Sequence, residues 1–141
     1  MIASEVKDIK QIPCLFADPE GFKSVVDEFV SMFDREVFDC IVSRGPRGHA
    51  IAGILADKFG SGLVCAGMKN KFCKDSLKSG WTVVVICDTL ENGEKQLDLI
   101  QKIEECGCKV IRVGFISEQT SFGARKSKIL RKYPFEAVIT L

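Results

Sequence analysis

Residues Trp81 to Lys109 read WTVVVICDTLENGEKQLDLIQKIEECGCK, and the succession of patterns inside them decides the fold. Trp81 to Cys87 is a short apolar run rich in β-branched residues, ended by Asp88. Such a run predicts a strand buried on both faces of a parallel sheet. The polar turn Asp88-Thr89-Leu90-Glu91-Asn92-Gly93 follows. Leu97, Ile100 and Ile103, with Leu99 and Cys106 on the flanks, then recur at helical spacing. Gly107 stands where a helix C-cap is expected, and Lys109 opens another apolar run. Strand, polar turn, helix and strand make a right-handed βαβ crossover. Ligands of open α/β sheets bind beyond the carboxyl ends of the strands, so Asp88 to Gly93 is the first candidate site.

The alternation continues in both directions. Asp18-Pro19-Glu20 is a helix start, an N-cap aspartate followed by proline at the first helical position. Phe22, Val25, Val26, Phe29, Val30 and Phe33 give that helix an apolar stripe, suited to a core or to an interface, and it ends near Asp34. Pro13 is expected to block any continuous helix through the first 18 residues. Phe38 to Val42 reads as a strand and Ser43 to Gly48 as the turn after it. Ala50, Ile51, Ile54, Leu55 and Phe59 form a second stripe closed by Gly60. Leu63 to Ala66, Val110 to Ile116 and Glu136 to Leu141 are further strands, with Gly67 to Gly80 a loop or hairpin. Thr120 to Lys132 is polar and basic, with room for a short helix. The expected architecture is α/β: a doubly wound, mostly parallel sheet with helices on both faces.

At 141 residues the chain is expected to be one domain, residues 1–141. A net charge of +1 gives no electrostatic case for nucleic acid or for an anionic membrane. No stretch approaches the ~20 apolar residues of a membrane span. The first ten residues lack the apolar segment of a signal peptide, which makes a cytoplasmic location the expectation. The seven cysteines are mostly scattered, and the Cys106/Cys108 pair has no second pair or nearby histidine to complete a zinc site; buried, reduced thiols are expected.

Two turns offer chemistry. Ser43-Arg44-Gly45-Pro46-Arg47-Gly48 lies where a strand enters a helix. Its free N–H groups and arginines suit a phosphate, although a tight βα turn with solvated arginines has the same composition. The dinucleotide and Walker A glycine spacings are both absent. In the second turn, Asp88 is placed to hold ribose hydroxyls or a hydrated Mg²⁺, and the amides around Asn92 and Gly93 to face a phosphate. Glu91 and Glu94 oppose an anion there and fit an ordinary helix start equally well. His49, the lone histidine, reads as a helix-start residue or a base without a visible partner. Lys69, Lys71 and Lys74 read as a solvated face in preference to a nucleic-acid patch; the denser Arg125, Lys126, Lys128, Arg131 and Lys132 also suit an acidic partner or RNA.

These stretches together resemble the type I phosphoribosyltransferases, the adenine enzymes in particular, from about Ile12 onward. Ile12-Pro13 with Asp18-Pro19-Glu20-Gly21-Phe22 is similar to their N-terminal IP…DPxxF segment. Asp39 to Gly45 is similar to the strand and SRG turn that binds pyrophosphate. Gly80 to Asp88 is similar to the strand entering the motif for phosphoribosyl pyrophosphate (PRPP). The resemblance implies transfer of phosphoribose from PRPP-Mg²⁺ to a nucleobase such as adenine, giving AMP and pyrophosphate. It also implies a homodimer. It assigns Asp88 to the ribose and the metal, Ser43, Arg44 and Gly45 to pyrophosphate, and Asp88, Thr89, Leu90, Glu91, Asn92, Gly93, Glu94 and Lys95 to the rest of the bound substrate.

The chain departs from that pattern at the chemistry. Cys87-Asp88 stands for a pair of acids, and Asn92-Gly93-Glu94-Lys95 for Thr-Gly-Gly-Thr. Gly67-Met68 replaces an Arg-Lys pair, and the stretch Gly67 to Gly80 is too short to be the family's long covering loop. The hood is expected to be minimal. The expected function is therefore an adenine phosphoribosyltransferase-like protein of purine salvage with weak or lost activity. Its rivals are a non-catalytic nucleotide-binding or regulatory relative and a structural dimer partner.

Overall fold

The computed structural model of the protein describes all residues 1–141. After two single 3₁₀ turns come α1 (Ile12–Ala17), α2 (Pro19–Phe33), β1 (Cys40–Arg44), α3 (Pro46–Phe59), β2 (Gly62–Ala66), β3 (Thr82–Leu90), α4 (Glu94–Glu105), β4 (Lys109–Glu118), α5 (Ala124–Ser127) and β5 (Phe135–Thr140). The five strands form one sheet in the order β2-β1-β3-β4-β5, and every pairing is parallel.

Two apolar clusters of 17 buried residues each cover the two faces. One joins Ile12, Val25, Phe29, Ile51 and Leu55 of α1 to α3 with Val84 and Ile86 of β3. The other joins Leu99, Ile100 and Ile103 of α4 with Val83, Val85 and Cys87. Successive β3 residues thus serve opposite faces, which is why the strand carries an unbroken apolar run instead of an alternating one. The doubly wound α/β arrangement read from residues 81–109 is the observed one.

Local signals explain most element ends. Asp18 accepts the Gly21 N–H at 3.2 Å and Pro19 fills the first helical position of α2. Val25, Val26, Phe29 and Phe33 turn into the interior, so the α2 stripe is core. Each fully buried phenylalanine contributes roughly 1.5–3 kcal/mol of transfer free energy. The helix comes so close to β4 that a Cβ at Gly114 would lie 2.9 Å from Met32, Phe29 and Phe33 side-chain atoms. Gly60 caps α3 in the left-handed region.

Several expectations need correction. Pro13 does bar a continuous helix through the first 18 residues, but it sits in the first turn of the short α1, where its missing N–H costs nothing. β1 starts two residues later than expected and includes Ser43 and Arg44, because Phe38 packs edge-on against Phe33 and Phe59 instead of entering the sheet. β3 runs on through Asp88 to Leu90, because β4 is long enough to pair Thr89 with Ser117 and Leu90 with Glu118. Residues 67–80 form no hairpin but two 3₁₀ turns, Met68–Asn70 and Lys74–Ser76. Ala50 is exposed, whereas Leu99 is at the centre of the α4 contact rather than on its flank. Cys14, Cys65 and Cys73 are exposed, so buried thiols account only for Cys40, Cys87 and Cys108.

Candidate functional site

From β1 the chain proceeds outward to β2 in one direction, and from β3 to β4 and β5 in the other. The order reverses between β1 and β3, and the crevice beyond their carboxyl ends is the natural ligand position of such a sheet. Arg44 ends β1 beside Cys87 of β3, and Asp88 follows Cys87.

Gly45 turns the chain from β1 into α3 at φ 86°, and a Cβ there would lie 2.9 Å from Asp88 Cβ. Only glycine combines that backbone with that approach. At Gly48 a Cβ would stand 3.3 Å from the Ile86 carbonyl oxygen, so the first turn of α3 rests directly on β3. This packing brings Arg47 to Asp88, with Nη1 3.8 Å from Oδ2. The other carboxylate oxygen, Oδ1, is enclosed and has no hydrogen-bond partner. Burial pushes the Asp88 carboxyl above the usual range, opposed by the charge and the backbone N–H of Arg47. Cys87 is fully enclosed, and burial pushes its thiol up to about 12, so at neutral pH it is neither anion nor nucleophile.

Ser43 is also enclosed. Its hydroxyl donates to Cys65 Sγ at 3.5 Å and lies 2.7 Å from His49 Nδ1, which has the complementary role when that nitrogen carries the proton. The partner of His49, invisible in sequence, is therefore Ser43. This leaves the hydroxyl of Ser43 supporting α3 rather than facing the crevice.

Arg44 is held by a residue outside both motifs. Its Nε donates to Asn70 Oδ1 at 2.8 Å, and the Asn70 amide donates to the Lys95 carbonyl oxygen and to Asp98 Oδ2, each at 2.9 Å. Asn70 is 4 % exposed at φ 56°, so one buried asparagine ties the 67–80 connection to the end of β1 and the start of α4. Lys102 adds a second tie by donating to the Lys69 carbonyl oxygen at 2.7 Å. The hydrogen bonds from Asn70 and Lys102 hold Asp98 below the usual carboxylate range. A cleft of about 590 Å³ opens here, lined by Arg44, Lys69, Asn70, Glu94 and Lys95. A second hollow of about 280 Å³, against Gly45, Pro46 and His49, shares Arg44 and Met68 with it. Lys69 thus supplies a cation one residue beyond Gly67-Met68.

The second turn is divided in its fates. Leu90 is in the core, and Thr89 shares a 3.1 Å hydroxyl contact with Ser117. Glu91 and Asn92 are exposed, whereas Glu94 and Lys95 line the cleft. Asn92 Oδ1 accepts the Glu94 N–H at 3.0 Å, so one of the amides at the α4 start is already engaged. Gly93, at φ 89°, is buried, and a Cβ there would lie 2.6 Å from Ile129. The basic segment is partly spoken for: Arg125 pairs with the buried Glu118 at 3.0 Å and lies 4.5 Å over the Phe135 ring.

The residues do not fit a protein-held Mg²⁺. No three His, Cys, Asp or Glu side chains converge. Asp88 stands without the acid pair of the related motif, with one oxygen enclosed and the other facing a guanidinium. Mg²⁺ requires oxygens at about 2.0–2.1 Å in near-octahedral array.

No protein-family model matches the chain. A curated adenine phosphoribosyltransferase from Jannaschia sp. is 25% identical over 149 aligned positions, covering 92% of this chain and 83% of that protein. The crystal structure of adenine phosphoribosyltransferase from Rhodothermus marinus superposes with a TM-score of 0.81 at 20% identity, over 96% of this chain and 86% of the other. The APRTase from Giardia lamblia complexed with 9-deazaadenine superposes with a TM-score of 0.79 at 19% identity, over 100% and 92% of the two chains. No helix is long and apolar enough to cross a membrane. The chain has the type I phosphoribosyltransferase fold and resembles the adenine phosphoribosyltransferases along most of its length.

Proposed function

We propose that the protein binds a phosphorylated ribose, PRPP or AMP, in the crevice between β1 and β3, and that its transferase activity toward adenine is weak or lost. The observation that carries this reading is the meeting of Arg44, Gly45 and Asp88 at the switch point, with Cys87 enclosed where a second acid would be needed. Arg44 uses only Nε within the chain, leaving its fork of terminal nitrogens for a pyrophosphate or phosphate. Asp88 offers its charge to ribose hydroxyls. A lone carboxylate already facing Arg47 gives less stabilisation to an oxocarbenium-like transition state than a pair does, which lowers the rate more than the affinity.

Loss of turnover is favoured over a fully working transferase by one further observation. Asn92 occupies the Glu94 N–H, and Ile129 crowds Gly93, where a 5′-phosphate would need open amides. By the same resemblance the protein is taken to be a homodimer of one-domain subunits, which light scattering checks directly. Calorimetry with PRPP and AMP, run beside an assay for AMP formation from adenine and PRPP, tests the main reading. Saturable binding with little or no turnover is expected. Silence with both ligands refutes it, and rapid turnover refutes the reduced activity.

A further inference from the structure

The site lacks a place for a metal ion on the protein, yet it is rich in positive charge. Arg44, Arg47, Lys69, Lys95 and Lys102 gather around the crevice against Asp88, Glu94 and Asp98. Asp98 is taken by Lys102 at 3.2 Å and by Asn70. Lys69 and Lys95 make no ion pair within the chain. Arg47 is fixed from behind. It follows Pro46 at the head of α3, and Gly48 seats that turn on β3, so the guanidinium is delivered to Asp88 by packed backbone rather than by a free loop. Its side chain is 39% exposed and that of Asp88 20%, which leaves the pair open to a ligand on one side.

Resting on the reading of the crevice as a phosphoribose site, we propose that the ligand binds here without a divalent cation, the Arg47 guanidinium standing beside Asp88 where the metal would otherwise balance charge. A dication brought to Asp88 Oδ2 would meet Arg47 as a like charge, whereas a phosphate beside that pair meets a ready cation with directed N–H donors. The remaining cations balance the ligand's phosphates without help from the solvent's metal.

The test is calorimetry of the whole chain with PRPP in EDTA and in millimolar Mg²⁺. Equal affinities, within about twofold, are expected for the natural sequence. Arg47→Ala is expected to weaken metal-free binding about tenfold or more and to make Mg²⁺ tighten what remains. Arg47→Lys, which keeps a charge, is expected to lose less and to stay insensitive to Mg²⁺; circular dichroism checks that both variants fold. Tightening by Mg²⁺ of about tenfold or more in the natural sequence overturns the proposal. So does an Arg47→Ala protein that binds PRPP in EDTA as well as the natural one. Failure to bind PRPP under either condition overturns the proposal, and if AMP is silent as well the phosphoribose reading falls with it.

Discussion

Replacing Asn70, the buried polar residue of the 67–80 connection, should cost more than the loss of an exposed polar residue there, and in an order that reverses a common rule. Its side chain makes three hydrogen bonds, to Arg44 Nε, the Lys95 carbonyl oxygen and Asp98 Oδ2. Two partners are charged, which raises the worth of each bond, but the Asp98 side chain is 54% exposed and water replaces part of what is lost. Asn70→Ala should therefore lose about 2–3 kcal/mol from hydrogen bonding. Alanine at φ 56° adds about 1 kcal/mol of backbone strain. Asn70→Gly loses the same bonds without the strain, so glycine should be the more stable variant by about 1 kcal/mol, although glycine is ordinarily the worse substitution. Urea titration followed by far-ultraviolet circular dichroism and by the fluorescence of Trp81, the single tryptophan, measures both. An alanine variant within about 0.5 kcal/mol of the natural protein would remove the tie. A glycine variant below the alanine one would show that the left-handed backbone is not what Asn70 is there to supply.

Gly93→Ala should cost about 2–4 kcal/mol, because φ 89° and the 2.6 Å approach of Ile129 act together; a thermal melt unchanged by the substitution refutes that packing. Alkylation of the native protein followed by mass spectrometry should label Cys14, Cys65 and Cys73 first and leave Cys87 untouched until the chain unfolds, since its thiol sits near 12. Early labelling of Cys87 would show an open path from the crevice to that thiol. Asp88 titrates above its ordinary value when folded, so its share of stability is complete at low pH and is lost as pH rises through the folded value. Asp88→Asn should accordingly raise stability at neutral pH and match the natural protein in acid. Urea titrations across that range check the sign, and a variant less stable at neutral pH contradicts it.

The fold was legible wherever its cause is local. Asp18-Pro19, Gly60 and the helical stripes state their roles in a few adjacent residues, and the βαβ unit follows from the change of period between Cys87 and Leu97. What escaped was set by distant partners. Nothing in the lysine-rich 67–80 stretch announces Asn70, because its contacts lie 25 to 28 residues away. Asp88 to Leu90 is polar enough to read as a turn, and only the length of β4 beside it keeps it a strand. For the site, Arg44 and Asp88 could be named from their places at strand ends. The engagement of Ser43 with His49, and the descent of Leu90 into the core, depend on side-chain directions that a one-dimensional pattern does not fix.

The sheet divides the apolar interior into two compartments that share little but strand backbone, one under α3 and one under α4. Substitutions such as Leu55→Val and Ile103→Val, on opposite sides, should therefore have additive effects on stability. The crevice lies where the heads of the two helices converge, α3 through Arg47 and α4 through Lys95 and Asp98. An occupant there would be anchored in both compartments at once. Binding would then make opening of either compartment cost the bound ligand as well, and amide hydrogen exchange would slow together on both faces of the sheet.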